Sequence, residues 1–262
     1  MQDIVARVKT QTTLSAGYRF LELEAPVIAA AATPGQFVHV RVTGLDQAAL
    51  RRPFSIYRAA DGILAILYKT VGRGTEQLAR LQPGETVSVM GPLGHGFPCD
   101  APGRPPVLVA GGYGVAPLAF LASRLPAAGT IMIGGRTAAD ILCVEDFASR
   151  GWDVRLATED GSRGTRGLAT ALLDAWLAAN GSAAPTFYAC GPDGLLRAVA
   201  ERADRAGRPA WVSLDKHLMC GVGACLACVQ RVRRPDGATV LARSCHDGPV
   251  FAADTVVWEN ER

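Results

Sequence analysis

Four cysteines crowded into the last fifth of the chain constrain it more than any other feature. Cys220, Cys225 and Cys228 stand as C-x4-C-x2-C, and Cys245 follows after sixteen further residues. This is the plant-type spacing of a 2Fe–2S cluster. The intervening residues suit that chemistry. Three thiolates must converge from one tight loop onto a small anionic centre whose sulfides are stabilised by backbone N–H groups. Gly221 and Gly223 supply unusual dihedrals, while Ala224 and Ala227 keep the loop thin. Val229 to Val232 and Thr239 to Ala242, turning at Pro235-Asp236-Gly237, read as the hairpin that returns the chain to Cys245. Two rivals stand beside this reading. A structural zinc site usually pairs its ligands two and two, unlike this triplet plus singlet. A nucleic-acid-binding zinc module would be basic, yet residues 211–262 hold six Lys/Arg and six Asp/Glu. The other rival is that the cysteines are small buried apolar residues.

The remaining three cysteines, Cys99, Cys143 and Cys190, are scattered, and seven is an odd number for a disulfide framework. Hydrophobic residues at 49% and charged residues at 19% fit a well-packed globular protein. A formal charge of +3 spread over the chain does not mark a nucleic-acid binder. No apolar run approaches the roughly 20 residues of a membrane span. The first residues lack the basic-then-apolar pattern of a signal peptide, so the cytoplasm is the expected compartment.

Three textures succeed one another, and they predict a multidomain chain: an antiparallel β-barrel at 1–101, an α/β parallel-sheet nucleotide-binding domain at 102–210, and a small cluster domain at 211–262. In the first, Phe37 to Val42 alternates as a half-buried strand does, and Ile63 to Tyr68 and Thr86 to Met90 are further strands led in by Asp61-Gly62 and Pro83-Gly84. Many short strands at this spacing point to a barrel. After Pro102-Gly103-Arg104-Pro105-Pro106, short apolar runs alternate with helical stretches. Strands are expected at Val107 to Ala110, Thr130 to Gly134, Val154 to Ala157 and Phe187 to Cys190, and helices through Leu125 and over Leu168 to Ala179. That alternation implies βαβ units. The third segment is too small for an ordinary core and is expected to fold around its metal centre.

Two nucleotide sites suggest themselves. Arg51-Arg52-Pro53-Phe54-Ser55 in isolation reads equally well as a turn with surface arginines. Gly72-Arg73-Gly74-Thr75 before a helix over Glu76 to Leu81 adds weight, with Thr75 as the expected N-cap. Such a helix start suits a pyrophosphate, with Arg52 neutralising phosphate and Phe54 packing on a flat ring. In the second segment, Ala110-Gly111-Gly112-Tyr113-Gly114 joins a strand to a helix and leaves room for a dinucleotide, although its spacing is not the G-x-G-x-x-G fingerprint. Cys190-Gly191-Pro192 ends a later strand and faces the crevice where such sheets bind ligands. Locally, Cys190 is as well explained as a core thiol.

The order of these motifs, together with Gly91-Pro92-Leu93-Gly94 read as a turn, resembles the ferredoxin–NADP reductase superfamily. Within it, the C-terminal cysteines, Thr158-Glu159-Asp160-Gly161-Ser162 and Ser213-Leu214-Asp215 are similar to the electron-transfer subunits of type B, NAD-dependent dihydroorotate dehydrogenases. The resemblance spans essentially the whole chain. It implies that Arg52, Pro53, Phe54 and Ser55 contact FAD, that Tyr68, Lys69 and Thr70 lie along the isoalloxazine, and that Gly74 and Thr75 hold the pyrophosphate. It implies that Gly111, Gly112, Gly114, Gly191 and Pro192 face NAD, with Cys190 as the candidate catalytic residue near the nicotinamide. Cys220, Cys225, Cys228 and Cys245 would hold the 2Fe–2S cluster. Phe54 replaces a common Tyr of related reductases, and Tyr113 a common Gly. The implied partner is an FMN-containing catalytic subunit that oxidises dihydroorotate, in a heterotetramer serving pyrimidine biosynthesis, with no orotate site on this chain. Reductase subunits of a sulfite reductase, a hydrogenase or a ferredoxin-linked transhydrogenase share the architecture, and a zinc-stabilised interaction module is the reading of a different class.

Overall fold

Alternation of apolar and polar residues over a long N-terminal stretch fixes the first element. In β1 (Gln2–Ser15), Ala6 and Val8 are buried while Val5 and Lys9 face outward. In the computed structural model, which describes residues 1–15, 17–42, 50–100 and 103–258, β1 pairs with β2 (Tyr18–Glu24) on one side. β3 (Phe37–Arg41), β4 (Arg52–Ala60), β5 (Ile63–Lys69) and β6 (Thr86–Leu93) complete a closed antiparallel barrel in the order β1-β2-β5-β4-β3-β6. Leu21, Leu23, Val38, Val40, Ile56, Leu64, Ile66 and Val89 fill its interior, with Ile28 from α1 (Pro26–Ala31) packed among them.

Two expectations change here. β3 is not half-buried: Phe37, Val38, His39 and Val40 are all inaccessible, because the cysteine segment covers the outer wall that alternation alone assigns to solvent. Nor is Gly91 to Gly94 a turn, since β6 runs on through Leu93. Gly91 fits that strand because a side chain there would press on Val38, with Cγ1 at 2.7 Å from the Cβ position.

Apolar runs at β7 (Pro106–Gly111), β8 (Thr130–Gly135) and β9 (Asp153–Thr158) are the parallel strands expected between helices. With β10 (Thr165–Arg166), β11 (Thr186–Cys190) and β12 (Ala210–Ser213) they form most of a seven-stranded sheet ordered β10-β9-β8-β7-β11-β12 and then the edge strand β15 described below. α2 (Arg73–Leu78) lies in the barrel part; α3 (Val115–Ala122), α4 (Val144–Ala148), α5 (Ala169–Ala179) and α6 (Asp193–Arg205) belong to the sheet. The chain leaves β7 toward β8 and β9, then returns to its other side as β11 and β12. The strand order therefore reverses between β7 and β11, the point at which sheets of this kind form a crevice beyond the carboxyl ends of their strands.

The hairpin β13 (Val229–Arg233) and β14 (Thr239–Arg243) is the one read from the sequence. The third segment, however, does not start at 211 as a separate body. Trp211 to Ser213 pair in parallel with β11, and β15 (Val250–Ala252) closes the sheet edge antiparallel to β12. The chain runs from β12 into the cysteine loop and comes back, a return that local composition does not register. The other expected boundary, between 101 and 102, lies outside the described residues.

Barrel and sheet share one apolar cluster, in which Tyr18, Tyr57, Leu67 and Phe97 meet Leu108, Leu118, Leu121 and Tyr188. Truncating the fully buried Leu121 to Ala removes packing on both sides of that junction. Leu121→Ala is expected to cost about 2–5 kcal/mol, measured as a lower midpoint in urea, with tryptophan fluorescence and far-ultraviolet dichroism shifting together.

Candidate functional site

The cysteine loop leaves β12 and runs along the outer wall of the barrel. Positive φ angles bend it at Gly221 (+72°) and Gly223 (+83°), where a Cβ would strike His39 and His246 respectively. Leu226 is held at φ +60°, rare for a leucine. Backbone N–H groups already aim at the sulfurs. Gly223 N donates to Cys245 Sγ at 3.1 Å, Ala224 N and Cys225 N to Cys220 Sγ at 3.3 and 3.4 Å, and Cys245 N to Cys228 Sγ at 3.4 Å. Burial alone would raise the Cys220 thiol, but the Val222, Cys225 and Ala224 N–H groups outweigh it and bring it down to about 6. Burial, and then the adjoining Cys228, push Cys245 up to about 12. The Cys225 N–H to Cys220 Sγ bond links the first two cysteines, and the Cys245 N–H to Cys228 Sγ bond links the last two. The four thiols thus stand two and two, as the two irons of a 2Fe–2S centre require. Among the described residues no three His, Cys, Asp or Glu side chains close on one point.

Behind the loop, Arg243 braces the arrangement. Its guanidinium holds Asp247 at 3.0 Å and donates to Gly223 O at 3.2 Å. That pairing keeps the Asp247 carboxyl well below its ordinary range. Phe37 and Leu93 pack directly on Cys228 and Cys245, with Leu218 and Met90 beside them, so the ligands rest on the barrel rather than on a core of their own.

On the next strand the Arg-Pro-Phe-Ser motif separates into distinct tasks. Arg51 bonds Asp3 at 2.8 Å and tethers strands, whereas Arg52 lies across the start of α2. A Cβ at Gly74 would sit 2.8 Å from Arg52 Nε, so the bare glycine is what admits the guanidinium. α2 begins earlier than the sequence suggests. Gly72 is its N-cap, and Thr75 lies inside the first turn with Oγ1 accepting from Val71 N at 2.9 Å and Gly72 N at 3.2 Å. A hydroxyl one turn in can serve donors behind it, which inspection of Thr75 as a cap does not anticipate. Phe54 is buried in the barrel core against Tyr68, with ring centroids 5.5 Å apart, while Pro53 and Ser55 stay partly exposed. Thr70 Oγ1 is buried with no hydrogen-bond partner among the described residues. An orphaned hydroxyl at the strand end that leads into the Gly72–Thr75 turn fits a polar cofactor such as FAD.

Lys69 is engaged elsewhere. With Tyr18 it holds Asp140, the hydroxyl at 2.8 Å and the ammonium at 3.4 Å, and Ser15 donates to Ala139 O at 2.8 Å. This clamp ties the barrel to the sheet at the mouth of the crevice, where a Cβ on Gly112 would come 3.6 Å from the Tyr18 hydroxyl. Burial tends to raise Asp140, but Tyr18, the Thr137 N–H and Lys69 more than offset it and hold its carboxyl below the ordinary value.

In the crevice, two glycine turns meet. Gly111 abuts Pro192, and a side chain at Gly114 would collide with the Cys190 carbonyl. Cys190 is buried, and burial followed by the nearby Asp215 pushes its thiol up to about 12, so it stays protonated at neutral pH. Tyr113, half-exposed, reaches over to donate to Asp215 at 2.8 Å. At the end of β9, Glu159 and Asp160 are exposed, with Ser162 donating to Asp160 at 2.6 Å. Neither the Tyr18–Asp140 pair nor the Tyr113–Asp215 pair has a local signal in the sequence, because the partners lie 122 and 102 positions apart. His39, buried beside the cysteine loop with both ring nitrogens unpartnered, also went unread; a histidine inside an otherwise apolar strand was the signal.

Two family models match these parts: an oxidoreductase FAD-binding domain over residues 5–97, and the iron–sulfur cluster binding domain of dihydroorotate dehydrogenase B over residues 215–257. Barrel, switch-point sheet and paired cysteines together define an electron-transferring flavin and iron–sulfur oxidoreductase. Among solved structures, a chain of an NADH-dependent reduced ferredoxin–NADP oxidoreductase superposes with TM-score 0.83 at 27% identity, covering 97% of this chain and 90% of the other. An Amycolatopsis cytochrome P450 reductase gives 0.64 at 25% identity over 78% and 66%. The dihydroorotate dehydrogenase B (NAD(+)) electron transfer subunit of Desulforamulus reducens is 40% identical over 245 residues, 92% of each chain; that of Bacillus caldolyticus is 44% identical over 231 residues, 86% of each. The chain belongs to this family of electron-transfer subunits.

Two outcomes test the site. Cys225→Ser, at an exposed ligand position, is expected to reduce iron and labile sulfide to near zero while FAD stays bound, by metal analysis and flavin absorbance. Asp140→Asn is expected to cost about 1–2 kcal/mol at pH 7. Because the folded carboxyl titrates below its unfolded value, near 3.9, that contribution is present above the unfolded pKa and lost as pH falls through the folded one. Urea midpoints of wild type and variant should therefore converge in strong acid.

Proposed function

We propose that this chain carries electrons from an FMN-containing, dihydroorotate-oxidising catalytic subunit to NAD, as the electron-transfer half of a heterotetramer in pyrimidine biosynthesis. The observation that carries the reading is the paired cysteine loop seated on the barrel wall beside the Arg52–Ser55 strand. When bound, FAD exchanges an electron pair with the nicotinamide and single electrons with the 2Fe–2S cluster, joining two-electron to one-electron chemistry.

The protein's own residues bind, orient and shield. Arg52, admitted by Gly74, is placed to neutralise pyrophosphate, with Thr75 fixing the turn behind it. Pro53, Ser55 and Thr70 offer the partly exposed or unpartnered groups for the flavin, and Phe54 and Tyr68 form the wall beneath them. Lys69 orients the sheet against the barrel through Tyr18 and Asp140. Gly111, Gly112, Gly114, Gly191 and Pro192 line the crevice for NAD. Cys190, held protonated by its burial, would serve the nicotinamide as a packing surface rather than as a proton carrier. Glu159 and Asp160 suit ribose hydroxyls, which favours NAD over NADP, although Arg136 and Arg163 lie close in sequence.

Met219, Val222 and Leu226 are exposed at 49%, 38% and 60% around the ligands and form the face offered to the catalytic subunit. Among the described residues no helix is long and apolar enough to cross a membrane, and we place the complex in the cytoplasm. The domains are best drawn as a FAD barrel, an NAD sheet, and a cluster segment inserted in that sheet's edge.

Co-expression with the catalytic subunit tests the assignment. One FAD and one 2Fe–2S cluster per chain, and NAD⁺ reduction by dihydroorotate in the complex alone, are expected. A catalytic subunit that reduces NAD⁺ unaided defeats the assignment. In diaphorase assays kcat/KM should be higher with NADH than with NADPH; the reverse order refutes the nucleotide preference.

A further inference from the structure

β3 places Phe37 and His39 on the outer wall of the barrel, and the cysteine loop closes over both. His39 is 0% exposed, and neither Nδ1 nor Nε2 has a hydrogen-bond partner among the described residues. An imidazole always carries at least one N–H, and leaving a buried donor unmade costs about 1–3 kcal/mol. A fold that keeps such a ring has an acceptor to offer it.

The neighbours narrow the choice. Phe37 presents its ring at 5.7 Å and 67°, and offers no acceptor. In register with His39 on the flanking strands stand Pro53 and Met90, neither of which has a strong side-chain acceptor. Arg51 is itself a donor, at 3.4 Å from the His39 carbonyl. Against the ring lies Gly221, so closely that a Cβ there would be 2.6 Å from Nδ1 and 3.0 Å from Nε2. The loop is bare at Gly221, where it faces the imidazole, and that residue adjoins Cys220. An anionic iron–sulfur centre, with its sulfides and thiolates, is the acceptor that belongs on this side.

We propose that His39 donates its N–H to the 2Fe–2S centre, on a sulfide or a ligand cysteine sulfur, and thereby raises the centre's reduction potential. A donor stabilises the more negative, reduced cluster, so its loss lowers the potential. The register with Pro53 also puts His39 between the cluster loop and the strand carrying the flavin motif. The inference rests on the cluster assignment above. A wild-type chain without iron and labile sulfide would sink that assignment, whereas a loaded wild type with an insensitive His39 would sink this inference alone.

The test is an EPR-monitored redox titration of wild type, His39→Leu and His39→Gln. His39→Leu should hold the cluster electron about tenfold less tightly, which for a one-electron couple is ~59 mV lower, with the flavin potential unmoved. His39→Gln, which keeps an N–H, should recover most of the difference. A leucine variant with full iron and sulfide and an unchanged cluster potential overturns the proposal, as does one whose flavin potential shifts instead. If His39→Leu loses its iron, pulsed EPR of the reduced cluster decides, in ¹⁵N-histidine-labelled protein with His95, His217 and His246 replaced by Gln. That background leaves His39 as the single histidine of the four in the sequence. A histidine nitrogen coupling upholds the assignment, and its absence overturns it.

Discussion

The contact between the cysteine loop and the outer wall of β3 and β6 is the constraint that the rest of the structure serves. It requires a barrel strand that is buried on both faces, and Phe37 to Val40 supply one. It requires backbones close together, and glycines stand where they meet: Gly94 against the Gly248 carbonyl and Gly221 against His39. Cys228 and Cys245 then find their apolar surroundings in Phe37 and Leu93 rather than in a core of the small segment. A segment of this size owes its order to the cofactor it holds and to the surface it lies on. Here the surface belongs to the domain with the flavin motif, so ligand placement and barrel integrity are one problem.

Much of this was legible from local patterns. The hairpin β13–β14, the parallel strands and the ligand loop all rest on signals a few residues long, namely alternation, turn chemistry and cysteine spacing. What was not legible depends on pairing across the chain. Alternation in β3 predicts a wet outer face because the covering loop arrives some 180 residues later. The continuation of β6 through Pro92, and the β12–β15 pairing, are likewise decided by distant partners.

The site divides the same way. The four C-terminal cysteines, the glycine turns and Arg52 stand out from spacing, because metal and phosphate chemistry favours residues that stand close in sequence. Their neighbours do not. Nothing near Lys69 in sequence announces that Tyr18 and Asp140 hold its ammonium, and Thr75 reads as a cap until its hydroxyl is seen serving Val71 and Gly72. Sequence names the groups that do chemistry more readily than the groups that hold them still.

The insertion of the cysteine segment between β12 and β15 has a kinetic meaning. A carrier on a single tether samples many separations from its acceptor, and its transfer rate is an average over that search. This segment leaves and re-enters the same sheet edge while its middle lies on the barrel, so three attachment points fix it. Electron tunnelling weakens steeply with distance. A cofactor spacing set by backbone pairing makes the internal hop a constant of the fold, and leaves encounter with the partner and with the nucleotide as the steps that regulation or mutation can change.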